Sequence, residues 1–114
     1  MVKPNIVFLF PDQFRSDFLG CYGADWLKTP NIDRIANNGI RYSNAFSASP
    51  ICVPARTSLL TGMNAIKNGV TDNFHNLRAD WREAGIKIWP ELLSESGYYT
   101  AAIGKMHFYP WDDN

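Results

Sequence analysis

The sequence has little cysteine and no net charge, and each absence excludes a class of protein. Its two cysteines, Cys21 and Cys52, form neither a CxxC pair nor a Cys/His zinc spacing, so we predict free thiols unless one is modified. Eleven basic residues balance eleven acidic ones, without any Lys/Arg cluster. Because nucleic-acid binding requires a basic patch, we expect no nucleic-acid partner.

Long apolar runs are also missing. The longest run ends at Phe10 and is far too short to span a membrane, so we expect no membrane partner. The same run is too short for a secretory signal and lacks a small-residue cleavage site. The sequence as given therefore predicts a cytoplasmic protein, or a periplasmic or secreted one if a leader has been removed.

Apolar runs alternate with helix signals along the 114 residues, which we interpret as one domain without an internal boundary. Branched and aromatic residues predict strands at 5–10, 40–46 and 98–104. Pro at the start and Gly at the end predict helices at 30–38, 54–61 and 88–97. Residues 63–87 are mostly polar and are predicted to be a long surface excursion. This order is typical of an α/β fold with a largely parallel sheet flanked by helices.

Polar residues follow the predicted strands where ligands collect in such sheets, beyond the carboxyl ends of the strands. They are Asp12, Gln13, Cys52, Lys105 and His107. A carboxylate and an amide oxygen are ligands that Ca²⁺ or Mg²⁺ prefers, although a polar turn after a strand explains Asp12 and Gln13 equally well. Two such ligands need partners from elsewhere in the chain.

Cys52 lies between two prolines at the start of a predicted helix, with Arg56 on the first turn. A helix N-terminus and a guanidinium together favour an anion, while burial is the commoner role of a cysteine. Lys105 and His107 are two residues apart, so in an extended segment they point to the same side. A surface turn is the alternative interpretation of that pair.

Two stretches resemble the signatures of the sulfatase family. "CVPARTSLLTG" is similar to the first signature, and "GYYTAAIGKMH" matches the second at every fixed position. The stretches "FPDQFRSD" and "TPNIDRIANNGIRYSNAF" resemble the family's metal loop and its next helix and strand. The resemblance covers essentially the whole chain and implies the N-terminal part of a sulfatase catalytic domain. The implied fold is an alkaline-phosphatase-like α/β sandwich.

The resemblance also implies roles for individual residues. Cys52 would be converted by a maturation enzyme into formylglycine, whose hydrate attacks the sulfur of a small-molecule or saccharide sulfate ester. The resulting enzyme-bound sulfate ester would break down by elimination. Asp12, Gln13 and the modified Cys52 would bind a divalent cation, calcium first, with magnesium or manganese as alternatives. Arg56 would hold the modified side chain, Lys105 would bind sulfate, and His107 would contact the hydrate or the sulfate oxygens.

The sequence departs from the family pattern at Ala55, where Ser is usual, and at Gln13, where many members have a second Asp. An Asp-Gln start also occurs in related phosphonate and phosphate monoester hydrolases, which are the alternative enzyme class. The remaining metal ligands implied by the family would lie beyond residue 114. We therefore expect the isolated chain to be inactive.

A non-catalytic folding or association module is the third interpretation. In that case unfinished sheet edges would favour self-association. The substrate itself is not specified by these residues. Four residues in polar loops are candidates for the pocket wall, although solvated surface is the commoner role of such residues: His75, Arg78, Trp81 and Trp111.

Overall fold

The computed structural model describes residues 3–108, which form two compact units divided between Ala45 and Phe46. The first unit contains two 3-10 turns, Ser16–Phe18 and Gly20–Tyr22, and helix α1, Pro30–Asn38. Helix α1 has the bounds that the sequence predicts, because Pro30 lacks only an N–H that a first helical turn leaves unbonded and Gly39 follows its last residue.

The second 3-10 turn is fixed to the start of α1 by hydrogen bonds. The backbone N–H of Gly20 donates to Thr29 Oγ1 at 2.8 Å, and that of Cys21 donates to Asp33 Oδ1 at 2.7 Å. Thr29 Oγ1 also lies 3.0 Å from Asp33 Oδ1. The side chain of Thr29 therefore bonds the preceding turn rather than capping α1 itself.

Gly20→Ala is expected to lower the free energy of unfolding by about 1–3 kcal/mol, the cost of an unsatisfied donor. A Cβ at this position would lie 2.6 Å from Asp33 Oδ2. The carboxylate would have to leave Thr29 and the N–H of Cys21 to make room. Urea unfolding measures the change. In an Asp33→Ala background the added methyl meets no carboxylate, so an equal cost there would contradict this explanation.

The second unit is helical and loop-rich. Its helices are α2, Cys52–Thr61; α3, Ala65–Asn68; and α4, Trp89–Glu95. Helix α2 ends at the left-handed Gly62, as predicted, but begins two residues before Pro54. In α4, Glu91 accepts from the N–H of Ile88 at 3.5 Å and stabilises the helix start.

The core of the second unit lies where the sequence predicted surface. Val53, Val70, Leu77 and Trp81 form one buried cluster, and three of these residues come from the region predicted to be a polar excursion. The ring of Trp81 is only 3% exposed and stacks with the guanidinium of Arg82 at 4.1 Å. The prediction of a surface excursion at 63–87 is therefore wrong for these apolar residues, which close the core over α2.

The predicted strands are not assigned anywhere between residues 3 and 108. The apolar side chains of all three segments are exposed, as Leu9 (72%), Ile40 (80%) and Ile103 (100%) show. A strand is stabilised by a hydrogen-bonded neighbour and by a layer that covers its face. No such pairing of strands is assigned to these segments within residues 3–108, so the parallel sheet stays a prediction, as does the single undivided domain.

Within residues 3–108, no helix is both long and apolar enough to cross a bilayer.

Candidate functional site

The candidate nucleophile lies at the first position of helix α2. Cys52 is half-buried, and the preceding residue, Ile51, provides no side-chain cap. The N–H of Ala55 already bonds the carbonyl of Ile51 at 2.9 Å, and Pro54 has no N–H. The first turn therefore presents only the N–H groups of Cys52 and Val53 outside the helical hydrogen bonds.

The partner of one of these donors comes from a distant loop. The N–H of Val53 donates to Asn73 Oδ1 at 2.9 Å. Sequence reasoning missed Asn73, because an asparagine in a polar stretch is indistinguishable from an ordinary turn residue.

Arg56 joins α2 to the second signature stretch. Its side chain is buried, with 8% exposure, and Nη1 donates to the backbone carbonyl of Lys105 at 2.8 Å. A buried guanidinium requires such partners. Arg56 therefore bonds the segment of residue 105 to the first turn of α2.

Lys105 reaches the candidate nucleophile itself. Its Nζ donates to Cys52 Sγ at 4.0 Å, so an ammonium group lies beside the thiol. The preceding Gly104 has a φ of 98°, a left-handed conformation that strains any residue with a Cβ. This turn directs the chain so that both the carbonyl and the side chain of Lys105 meet α2.

Two predicted site residues have unusual backbone conformations. Gln13 has a φ of 51° and His107 a φ of 42°, and they are the non-glycine residues with positive φ in the described region. Such conformations are uncommon in side-chain-bearing residues and concentrate at functional sites. The half-buried His107 lies two residues after Lys105, in the second unit.

The candidate metal ligands lie in the first unit. Asp12 and Gln13 form an exposed turn directly after the apolar run, and their carboxylate and amide oxygens suit a hard divalent cation. Across residues 3–108, no group of three or more His, Cys, Asp or Glu side chains gathers as a metal site would require. The donor chemistry of this pair fits part of a metal site, and further ligands are needed to complete one.

The predicted wall residues have different outcomes. Trp81 belongs to the core, so both interpretations of it, as pocket wall and as solvated surface, are wrong. His75 is exposed beside Asp72. Arg78 is exposed and bonds Asp80 at 2.6 Å, and this hydrogen bond lowers the pKa of the Asp80 carboxyl. Trp111 lies outside the described residues.

Comparison with known proteins identifies relatives of one kind. The sulfatase family profile matches residues 4–114. An N-acetylglucosamine-6-O-sulfatase of Bacteroides thetaiotaomicron is 40% identical over 92% of this chain and 18% of its own length. An arylsulfatase of Clostridium perfringens is 39% identical over 96% of this chain and 22% of its own length. The human N-acetylgalactosamine-6-sulfatase is 40% identical over 91% of this chain and 22% of its own length.

The chain thus spans about a fifth of the length of the curated relatives it matches. No solved structure gives a significant match. The family implies an alkaline-phosphatase-like α/β fold, in agreement with the fold class predicted from the sequence. Because the family profile covers nearly every residue, the chain belongs to the sulfatase family.

Proposed function

We propose that this chain provides the nucleophile-bearing part of an active site that hydrolyses sulfate esters. The observation that carries the proposal is the contact of three signature residues, in which Arg56 bonds the carbonyl of Lys105 and Lys105 Nζ reaches Cys52 Sγ. In this arrangement the ammonium of Lys105 lies beside the sulfur atom at position 52. The names of the relatives, all sulfatases, support the same chemistry.

Cys52 is the proposed precursor of formylglycine, which supplies a hydrated aldehyde as the nucleophile once a maturation enzyme has formed it. Lys105 binds the sulfate oxygens, because its ammonium already lies beside the position 52 side chain. A preorganised cation there stabilises negative charge that develops in the transition state. Arg56 holds the Lys105 segment and screens the charge, and His107 provides a polar contact to the hydrate or the sulfate.

Asp12 and Gln13 are proposed ligands of a divalent cation, calcium first, together with the modified side chain at position 52. Such a cation, when bound, polarises the sulfate oxygens as a Lewis acid. The oxygen-only donor set of the Asp12–Gln13 turn supports a hard cation over zinc or copper. The positive φ of Gln13 supports a functional turn rather than a simple chain reversal.

A phosphonate or phosphate monoester hydrolase is the second candidate, and Gln13 is the observation that favours it. A neutral amide in place of a second carboxylate leaves the metal site less negative. Such a site repels a phosphate monoester, which carries more negative charge than a sulfate monoester, less strongly.

The two candidates are separated by comparing kcat/KM for an aryl sulfate, an aryl phosphate and an aryl phosphonate with the full natural protein. The protein is produced with and without a maturation system, and mass spectrometry of the Cys52 peptide measures the conversion of thiol to aldehyde. We expect the aryl sulfate to be the best substrate, and only in the converted protein. Absence of sulfate turnover in fully converted, calcium-loaded protein would contradict the proposal, and faster phosphonate turnover would favour the second candidate.

A further inference from the structure

We propose that Asn73 is a positioning residue for the nucleophile at position 52. The inference rests on the proposed function, because it assigns a task within that active site. Its observation is the 2.9 Å hydrogen bond in which the N–H of Val53 donates to Asn73 Oδ1. A loop residue thereby bonds the first turn of α2 directly beside the candidate nucleophile.

The hydrogen bond is needed because α2 has no local cap. Ile51 at the N-cap position offers no side-chain oxygen. Val53 is fully buried, with 0% exposure, so water cannot satisfy its N–H. Buried backbone donors in native structures are nearly always paired. The amide oxygen of Asn73 replaces the usual Ser, Thr or Asp cap from a position twenty residues further along the chain.

The bonded N–H belongs to the peptide unit that joins Cys52 to Val53. Fixing this plane fixes ψ of Cys52. It also fixes the start of α2, and with it the direction of the Cα–Cβ bond of Cys52. On the same helix, Arg56 bonds the carbonyl of Lys105, whose Nζ reaches Cys52 Sγ. Asn73 therefore stabilises the geometry of the nucleophile relative to both cations, although it contacts neither sulfur nor substrate itself.

The test compares Asn73→Leu with Asn73→Asp in the full natural protein after conversion of Cys52. Leu has a similar size without the acceptor, so we expect kcat/KM for an aryl sulfate to fall about 10- to 100-fold, as misplacement of a reacting group by about 1 Å does. The loss should appear in kcat, with KM within about threefold, because sulfate binding by the cations is retained. Asp retains an acceptor oxygen and should restore most of the rate. Asn76→Leu, an exposed position in the same loop, is the matched control.

Two further measurements keep positioning separate from folding and from the proposed function itself. Mass spectrometry should find equal conversion of Cys52 in all variants. Hydrogen exchange at the amide of Val53 should accelerate about tenfold or more in Asn73→Leu and remain slow in Asn73→Asp.

Parent-like kcat in Asn73→Leu, an equal loss in Asn76→Leu, or no rescue by Asp would overturn the positioning role. Unchanged exchange at Val53 would overturn it as well, whatever the activity. A converted parent protein that hydrolyses no sulfate ester would instead overturn the proposed function, while accelerated exchange in Asn73→Leu would still support the hydrogen bond as the device that fixes the peptide unit.

Discussion

In the full natural protein, Cys52→Ala is expected to lower kcat/KM for sulfate ester hydrolysis by at least about 10³-fold, because it removes the side chain that we propose as the precursor of the nucleophile. The hydrogen bond between Arg56 and the backbone carbonyl of Lys105 would remain, since it does not involve the side chain at position 52. The variant should therefore still bind substrate although its kcat is lost. Steady-state kinetics on an aryl sulfate, together with competition by inorganic sulfate, measure the two effects separately.

Cys21→Ala is the matched control for the same residue type. Cys21 lies in the first unit. Its backbone N–H donates to Asp33, and its carbonyl accepts from Arg41. Both groups survive replacement of the side chain, so the parent rate is expected. If Cys52→Ala retained activity, or if Cys21→Ala lost as much, the assignment of the nucleophile to position 52 would be wrong.

Helices α1, α2 and α4 were predictable from sequence because their signals are local, whereas the short α3 lies in the region predicted to be a surface excursion. Pro30 and Gly39 mark the ends of α1, and Gly62 marks the end of α2. The proline signal predicts that α2 begins at Pro54, but the helix begins at Cys52, because proline is tolerated within the first turn of a helix. The correction matters for function, because it places Cys52 within the helix rather than before it.

The core of the second unit was not predictable in the same way. Val70, Leu77 and Trp81 are isolated apolar residues among polar ones, and although their spacings of seven and four residues suit a helix face, the structure forms no helix there. Their burial depends on long-range packing against Val53. The predicted strands rest on continuous apolar runs, which indicate burial. No strand is assigned within the described residues, where Leu9, Ile40 and Ile103 are exposed, so these strands stay a prediction.

The candidate site was predictable where topology alone brings residues together. The order of strands and helices alone predicts that Cys52, Arg56 and Lys105 lie at one rim. The structure contains the contacts of Arg56 and Lys105, while the rim of a sheet and the roles of these residues stay predictions. The metal pair and the role of His107 stay predictions. Asn73 could not be predicted from sequence, because its importance comes from a hydrogen bond to the backbone N–H of Val53, and this bond exists only in the folded chain.

Lys105→Ala is expected to lower kcat/KM for an aryl sulfate by about 10²–10³-fold, the usual cost of removing one preorganised group that stabilises transition-state charge. The two contacts of Lys105 use different parts of the residue. Its backbone carbonyl accepts from Arg56 at 2.8 Å, and its Nζ reaches Cys52 Sγ at 4.0 Å. Alanine removes the ammonium and keeps the carbonyl, so the buried guanidinium of Arg56 retains this partner.

Activity and stability should therefore separate in this variant. Because the side chain of Lys105 is exposed, the free energy of unfolding should stay within about 0.5 kcal/mol of the parent. Lys87→Ala is the control, since it removes an exposed ammonium that pairs with Glu95 at 2.9 Å in the second unit, and it should retain the parent rate. A Lys105→Ala protein that lost activity only in proportion to lost folded protein would show that Lys105 holds the structure and does not bind sulfate.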